Sequence, residues 1–362
     1  MDVKDIAGQF ATEGTIVEIK AHGGGHINDS YRLVNASADH SDYLLQRVNH
    51  FVFKDVPLLM QNMVLVTDHV RAKTLMESPG EVGRRNLTII PARDGTSYYK
   101  DPDGNFWRVL TFIGGHLVFD STTDPAIAYE GALTFGAFSR MLNDLPADKV
   151  GTVIPDFHNM KWRLTQLGQS IRKDVAGRLK EVKKEVDYVE SRSKMMLTIH
   201  ELGEKGEIPL RVTHNDTKIS NVLFDKDKKG LCVIDLDTIQ PGWVTSDFGD
   251  GIRTLTNTGE EDDPDLDRIT MDLELYEAFA SGFLDSTRDI LSATEKDALL
   301  YAGLLFPYMQ AVRFLIDYLD GDIYYKVKDP KHNLVRTRAQ LKLTQDGEAK
   351  MDQLRAIIKK LS

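Results

Sequence analysis

The sequence predicts an α+β protein in two parts: a small antiparallel β-sheet part with one long helix, then a larger and mainly helical part. Three observations predict it. Short alternating or β-branched segments bounded by turns crowd residues 15–113, apolar residues at helical spacing dominate from Asp124 onward, and one strand–hairpin–strand interrupts the helices at 211–250.

Residues 3–13 place Ile6, Phe10 and Ala11 at near-helical spacing before Gly14, so a short helix is expected. Strands follow at 15–19, 30–34 and 43–48, and the first hairpin tip is Gly23, Gly24, Gly25, His26, Ile27, Asn28. Glycine lets backbone N–H groups approach phosphate oxygens closely, although a glycine-rich hairpin is by itself an ordinary turn. Residues 55–72 read as a helix with Val56, Leu59, Met60, Met63, Val66 and Val70 on one side. Short strands at 87–91 and 96–99 precede a strong one at 106–113, which stops at Gly114-Gly115. Paired glycine there reads as a hinge, with domains 1–115 and 116–362 on either side.

The second part carries helical patterns at 129–142 and 162–199, and the charge run 180–184 reads as a solvated helix face. Asp263, Asp265, Asp267 and Glu274 fall at Ca²⁺-loop spacing, but Arg268 occupies the position that needs glycine, so an acidic loop capping a helix from about Leu266 is the better reading. Arg313 interrupts the apolar helix at 301–319 and needs either a structural partner, such as Asp250 or Asp317, or a polar ligand. Arg336, Arg338 and Lys342 line a pocket or lie on the surface; their spacing does not choose.

The chemistry concentrates in residues 211–250. Val212 leads into the polar turn His214-Asn215-Asp216; residues 221–224 and 231–234 form a hairpin, with Asp235 and Asp237 at its exit. Folding the hairpin back lets Asp216, Asn221 and Asp235 converge at one end. Two carboxylates and an amide oxygen are hard ligands suited to Mg²⁺ and a phosphate-bearing substrate. Their order matches the base, Asn and metal-binding Asp of a kinase: Asp216 receives a hydroxyl proton, and Asn221 and Asp235 hold Mg²⁺ on ATP. Asp247-Phe248-Gly249 spells the kinase D-F-G but lies too far beyond Asn221 for one hairpin to span. Asp247 reads instead as a support that accepts backbone N–H groups behind the catalytic turn.

A net charge of −10 over 362 residues argues against nucleic acid or anionic membrane as a main partner, but not against ATP. The lone Cys232 excludes an intrachain disulfide and reads as a small core residue. Neither a basic-then-apolar leader nor an apolar run long enough to span a bilayer is evident, so a cytoplasmic location is expected; a monomer is the separate expectation for its assembly.

Thr213-His214-Asn215-Asp216 with Asn221, and Ile234-Asp235-Leu236-Asp237, resemble the aminoglycoside phosphotransferase and choline kinase superfamily. GGGHINDSY (23–31), YLLQRVN (43–49), SDFGDGIR (246–253) and the stretch 313–343 are more specifically similar to the bacterial N-acetylhexosamine 1-kinases. The resemblance covers both parts and implies a two-lobe protein-kinase-like fold and phosphorylation of the anomeric hydroxyl of GlcNAc or GalNAc. It implies Asp216 as base, Asn221 and Asp235 on Mg²⁺, and Gly23, Gly24, Gly25, His26 and Asn28 over the nucleotide. Gln46 and Arg47 would lie by the phosphates, and Arg313, Tyr324 and His214 by the sugar. Ile252 and Thr254 are candidate walls for the acetyl group. One departure is Gln46, which stands where kinases present a Lys. The alternatives are a kinase for another hydroxyl compound, of aminoglycoside or choline type, and an inactive nucleotide-binding module.

Overall fold

In the computed structural model, which describes residues 2–23 and 27–362, the chain forms two compact units. The first comprises Met1–Val118, Met141–Pro155 and Asn221–Pro241; the second comprises Phe119–Arg140, Asp156–Ser220 and Gly242–Ser362.

The first unit opens with helix α1 (Val3–Ala7) and strands β1 (Ile16–Ala21), β2 (Asp29–Asn35) and β3 (Tyr43–Val48). Helices α2 (Val56–Glu77) and α3 (Val82–Arg85) and strands β4 (Ile89–Ile90), β5 (Tyr99–Lys100) and β6 (Phe106–Thr111) follow. The sheet runs β1-β2-β3-β6-β4, with β5 also on β6, and its pairs are antiparallel. Alternation sends Leu33, Tyr43, Leu45, Trp107 and Val109 to one face, where they bury against Ile6 and Phe10. Helix α1 ends earlier than its spacing suggests, because Phe10 pairs with Ala92 and the Ala11 N–H donates to the Pro91 carbonyl at 2.9 Å. Helix α2 starts where Asp55 accepts the Leu58 N–H at 3.0 Å, with Pro57 in its first turn.

The second unit takes α4 (Pro125–Met141), α5 (Met160–Lys173), α6 (Lys183–Met196), α7 (Thr198–Glu204) and strand β7 (Arg211–Thr213). The long helical pattern at 162–199 breaks after Lys173, where Asp174 adopts a left-handed φ of 40°. The chain then forms a hairpin of the first unit, β8 (Val222–Phe224) and β9 (Gly230–Val233), and the short strand β10 (Gln240–Gly242). Helices α8 (Val244–Leu255), α9 (Leu273–Thr287), α10 (Ala293–Asp320), α11 (His332–Ala349) and α12 (Met351–Leu361) complete the helical unit. Leu266–Arg268 is only a single 3₁₀ turn; the helix begins at Leu273, capped by Asp272.

Helix α10 organises the second core. Ser292 and Glu295 form its capping box and Gly321, at φ 96°, ends it. It is long and apolar enough to cross a membrane by length and composition, and 78% of its apolar window is buried in the protein. Tyr308, Gln310 and Arg313 interrupt the run without lowering its mean hydropathy enough, so the expectation of no such run does not hold. A small antiparallel-sheet lobe and a mainly helical lobe are the architecture expected from the sequence.

Candidate active site

The hairpin of the first unit brings Asn221 and Asp235 together. Val222 pairs with Val233, and the Ile234 N–H donates to the Asn221 carbonyl at 2.9 Å, so Asn221 and Asp235 sit at the same end of two adjacent strands. Leu117 and Phe224 exchange backbone hydrogen bonds of 2.8 and 2.9 Å, which fixes the hairpin to the segment after β6. Asn221 is buried, and Asp235 is exposed at a left-handed φ of 60°. Asp tolerates that region better than most residues.

Asp237, two residues on, is turned inward. Its carboxylate accepts from Arg108 Nη1 and from Asn28 Nδ2, the latter at 2.6 Å. Arg108 lies directly opposite Gln46 in the β3–β6 register, and its Nε donates to Gln46 Oε1 at 2.9 Å. Gln46 Nε2 in turn donates to Ser30 Oγ at 3.0 Å. The Asn49 N–H donates to Asn28 Oδ1 at 2.9 Å. One polar network therefore ties the end of the glycine-rich turn, β3, β6 and the turn after β9. Arg47 pairs with Asp29 on β2 instead. Gly23 has a φ of 73° and open space where a Cβ would stand, while Gly24, Gly25 and His26 lie outside the described residues. Arg108 was not among the candidates legible in the sequence, and Asp237 was legible only as a residue at the hairpin exit. The available signal was an Arg inside the apolar strand Phe106–Thr111, since a buried cation demands a partner.

The second unit builds the catalytic turn. The Asp247 carboxylate accepts the N–H groups of His214 at 3.0 Å and Asn215 at 2.7 Å. Asp250 accepts the Thr217 N–H at 3.1 Å. Both acceptors project from α8, so one helix holds the turn on either side of Asp216. His214 is 0% exposed, with its ring edge-on to Phe135, and its Nδ1 accepts the Asp216 N–H at 3.2 Å. Its ring thus supports Asp216 from within the core, where the sequence expectation had it touching the acceptor. The Asp216 carboxylate is partly exposed and stands 3.0 Å from Lys218 Nζ. Burial pushes the Asp247 carboxyl up to about 6, against the opposing pull of His214 and the two N–H donors. Burial acts the same way on Asp250, but the adjoining Arg253 outweighs it and holds that carboxyl below its usual range.

Among the described residues Arg313 makes none of the ion pairs its spacing allowed. It donates to Gln310 Oε1 at 3.0 Å and lies over the rings of Phe157 and Tyr325. Asp250 pairs with Arg253, and Asp317 accepts the N–H groups of Ile323, Tyr324 and Tyr325 at 2.8–3.0 Å. Tyr324, 70% exposed, is held edge-on against Tyr325. Arg338 pairs with Glu185, and Arg336 lies over Phe314. Ile252 is fully buried, and the Thr254 hydroxyl donates to the Asp250 carbonyl at 3.0 Å.

Among the described residues, no three His, Cys, Asp or Glu side chains gather to hold a metal. Mg²⁺ in phosphate chemistry is commonly held by one or two carboxylates with water and substrate oxygens. The Asn221 amide oxygen and the Asp235 carboxylate are donors of that kind, and their shared hairpin end fits such an ion.

A family model described as the phosphotransferase enzyme family (APH) matches residues 18–281. An aminoglycoside phosphotransferase from Alicyclobacillus acidocaldarius superposes with a TM-score of 0.66 at 15% identity, covering 100% of this chain and 97% of that one. A choline kinase from Cryptosporidium parvum gives a TM-score of 0.60 at 16% identity, covering 98% of each chain. The amicoumacin kinase hAmiN, solved with AMP-PNP and Ca²⁺, gives 0.55 at 13% identity, covering 99% of this chain and 92% of that one. At these identities the likeness is one of fold.

Proposed function

The chain belongs to the phosphotransferase enzyme family, and we propose that this small-molecule kinase transfers phosphate from ATP to the anomeric hydroxyl of N-acetylhexosamines such as GlcNAc and GalNAc. The observation that carries the kinase chemistry is the turn 214–217, in which α8 fixes the backbone on both sides of a partly exposed Asp216.

Asp216 accepts the proton of the acceptor hydroxyl as the oxygen attacks. An anomeric hydroxyl is more acidic than an ordinary alcohol, so one positioned carboxylate suffices. Mg²⁺, when bound with ATP, neutralises charge that gathers on the phosphate oxygens. Asn221 and Asp235 hold that ion from the hairpin end. The glycine-rich stretch that starts at Gly23 is the proposed cover for the phosphates, since glycine admits close backbone approach, and Arg47 pairs with Asp29 just after it. Gln46 is uncharged and does not replace the usual Lys as a cation; its amide oxygen accepts from Arg108.

The acceptor side supports a sugar over an amine. Arg313 lies with Phe157 and Tyr325, and a second guanidinium, Arg163, hydrogen-bonds the Phe157 carbonyl. Cations so placed repel choline or a polycationic aminoglycoside, and their planar donors suit the oxygens of a neutral sugar. Arg313 and Tyr324 are the proposed sugar contacts, in a cytoplasmic monomer.

³¹P NMR of protein, ATP, Mg²⁺ and GlcNAc or GalNAc tests the reading: a sugar 1-phosphate resonance is expected, and its absence rejects the substrate. A panel of amino alcohols and aminoglycosides, followed by ADP release, decides for another hydroxyl acceptor. ATP binding without turnover on any acceptor marks an inactive module.

A further inference from the structure

Among the described residues of the helical unit, Arg163, Arg313 and Arg336 direct their hydrogen bonds to neutral acceptors, and the first two meet at Phe157. Arg163 on α5 donates Nη1 to Gln166 Oε1 at 3.1 Å and Nη2 to the Phe157 carbonyl at 3.2 Å, and its plane lies over Trp162 at 4.6 Å. Its Nε is buried without a hydrogen-bond partner. Arg313 on α10 donates Nη1 to Gln310 Oε1 at 3.0 Å and lies 5.5 Å from the ring of Phe157 and 5.8 Å from that of Tyr325. Phe157 thus joins the two: its carbonyl holds one guanidinium and its ring packs against the other.

A third polar group shares the place. The Tyr325 hydroxyl is buried and has no hydrogen-bond partner among the described residues. The carboxylates nearby are engaged elsewhere: Asp250 and Glu261 with Arg253, Asp317 with three backbone N–H groups and Asn333, and Asp156 with Asn159. Burial, and then the charge of Arg313, bring the Arg163 pKa down to about 10. Two cations close together, with no carboxylate paired to either among the described residues, leave a local excess of positive charge that a ligand can neutralise.

We propose that Arg163, Arg313 and the Tyr325 hydroxyl form an oxyanion site that takes a phosphate or carboxylate group. The planar fork of arginine matches two oxygens of such a group, and the hydroxyl supplies a third donor. Arg313 is also the sugar contact proposed above, so an anion held here competes with the acceptor and not with ATP. Binding does not require the sugar assignment to be right.

The test titrates inorganic phosphate and, separately, glucuronate into the full chain without nucleotide, at constant ionic strength, by calorimetry and thermal shift. Saturable binding of at least one anion is expected, weakened roughly tenfold or more by Arg163→Gln and by Arg313→Gln, and by a smaller factor in Tyr325→Phe. Phosphate binding alone identifies a free-phosphate site, and phosphate then raises the acceptor KM while leaving the ATP KM unchanged. Glucuronate binding alone identifies an acidic substituent on the acceptor. Circular dichroism checks folding; should Arg163→Gln unfold, Arg163→Lys, which keeps the charge and loses the fork, is expected to weaken binding about threefold or more. Absence of saturable binding for both anions, or equal affinity in wild type and the folded arginine variants, overturns the proposal.

Discussion

Arg108 on β6 and Asp237 in the turn after β9 form an ion pair in which each side chain is only 2% exposed. The pair is the centre of the network that reaches Gln46, Ser30, Asn28 and Asn49. It joins residues 129 positions apart in the chain. Its burial means that each charge depends on the other, since water cannot replace a lost partner.

Arg108→Met strands the Asp237 carboxylate and is expected to lower unfolding free energy by roughly 3–5 kcal/mol. The double variant Arg108→Met/Asp237→Leu removes both charges and is expected to be clearly more stable than that single variant. Urea denaturation followed by circular dichroism measures both. A double variant as unstable as the two singles added together refutes the coupling.

Asp216→Asn keeps the size of the side chain and removes the proton acceptor. The kcat is expected to fall by roughly 10²–10⁴-fold, with ATP affinity unchanged by calorimetry. Residual turnover within a few fold of wild type removes Asp216 from the base role.

Asp235→Asn retains a residue that tolerates the left-handed backbone at this position, so the fold is expected to persist. The lost charge is expected to raise the Mg²⁺ concentration for half-maximal rate by roughly tenfold or more, about 1.4 kcal/mol. ADP release against Mg²⁺ at fixed ATP reads the effect, and an unchanged curve places the metal elsewhere.

Asp247 supplies a pH test. Its folded carboxyl, pushed up by burial, titrates at about 6 where the ordinary value is 3.8. Between those values the folded chain holds the extra proton, so this group's contribution is fully present below the lower value and is lost as pH rises through the higher one. The loss approaches about 3 kcal/mol. The stability difference between wild type and Asp247→Asn is therefore expected to move against wild type from pH 4 to pH 7. A difference that stays flat across that window contradicts the shift.

Gly249, third in the D-F-G string, is expected to tolerate no side chain. A Cβ there would stand 2.3 Å from the Phe306 ring and 2.7 Å from the Ala302 carbonyl of α10. Gly249→Ala is expected to cost roughly 1–3 kcal/mol, seen as a lower melting temperature. An unchanged melting temperature shows that α8 and α10 separate freely.

The fold class was legible because local patterns agreed with one another. Alternation in 43–48 and the spacing of Leu59, Met63, Val66 and Val70 are short-range signals that tertiary packing reinforced. The Arg108–Asp237 network was hidden because no short window contains its members. The early end of α1 was hidden for the same reason: Phe10 is claimed by Ala92, which lies far along the chain. The partners of Arg313 could not be read either, since Asp250 is taken by Arg253 one turn on in its own helix and Asp317 by backbone N–H groups of the turn after α10. D-F-G is instructive in the opposite sense. Its letters suggested a metal loop, yet Asp247 holds the catalytic turn, Phe248 packs with Phe279 and Phe283, and Gly249 admits α10.

The sheet unit is assembled from three separated segments, the last ending at Pro241. During synthesis its opening strands must wait at the ribosome until roughly two thirds of the polypeptide has emerged. A gene fragment stopping at residue 118 would lack Asp237 and leave the Arg108 charge stranded in an apolar interior, so neither portion is expected to be separable by a single cut.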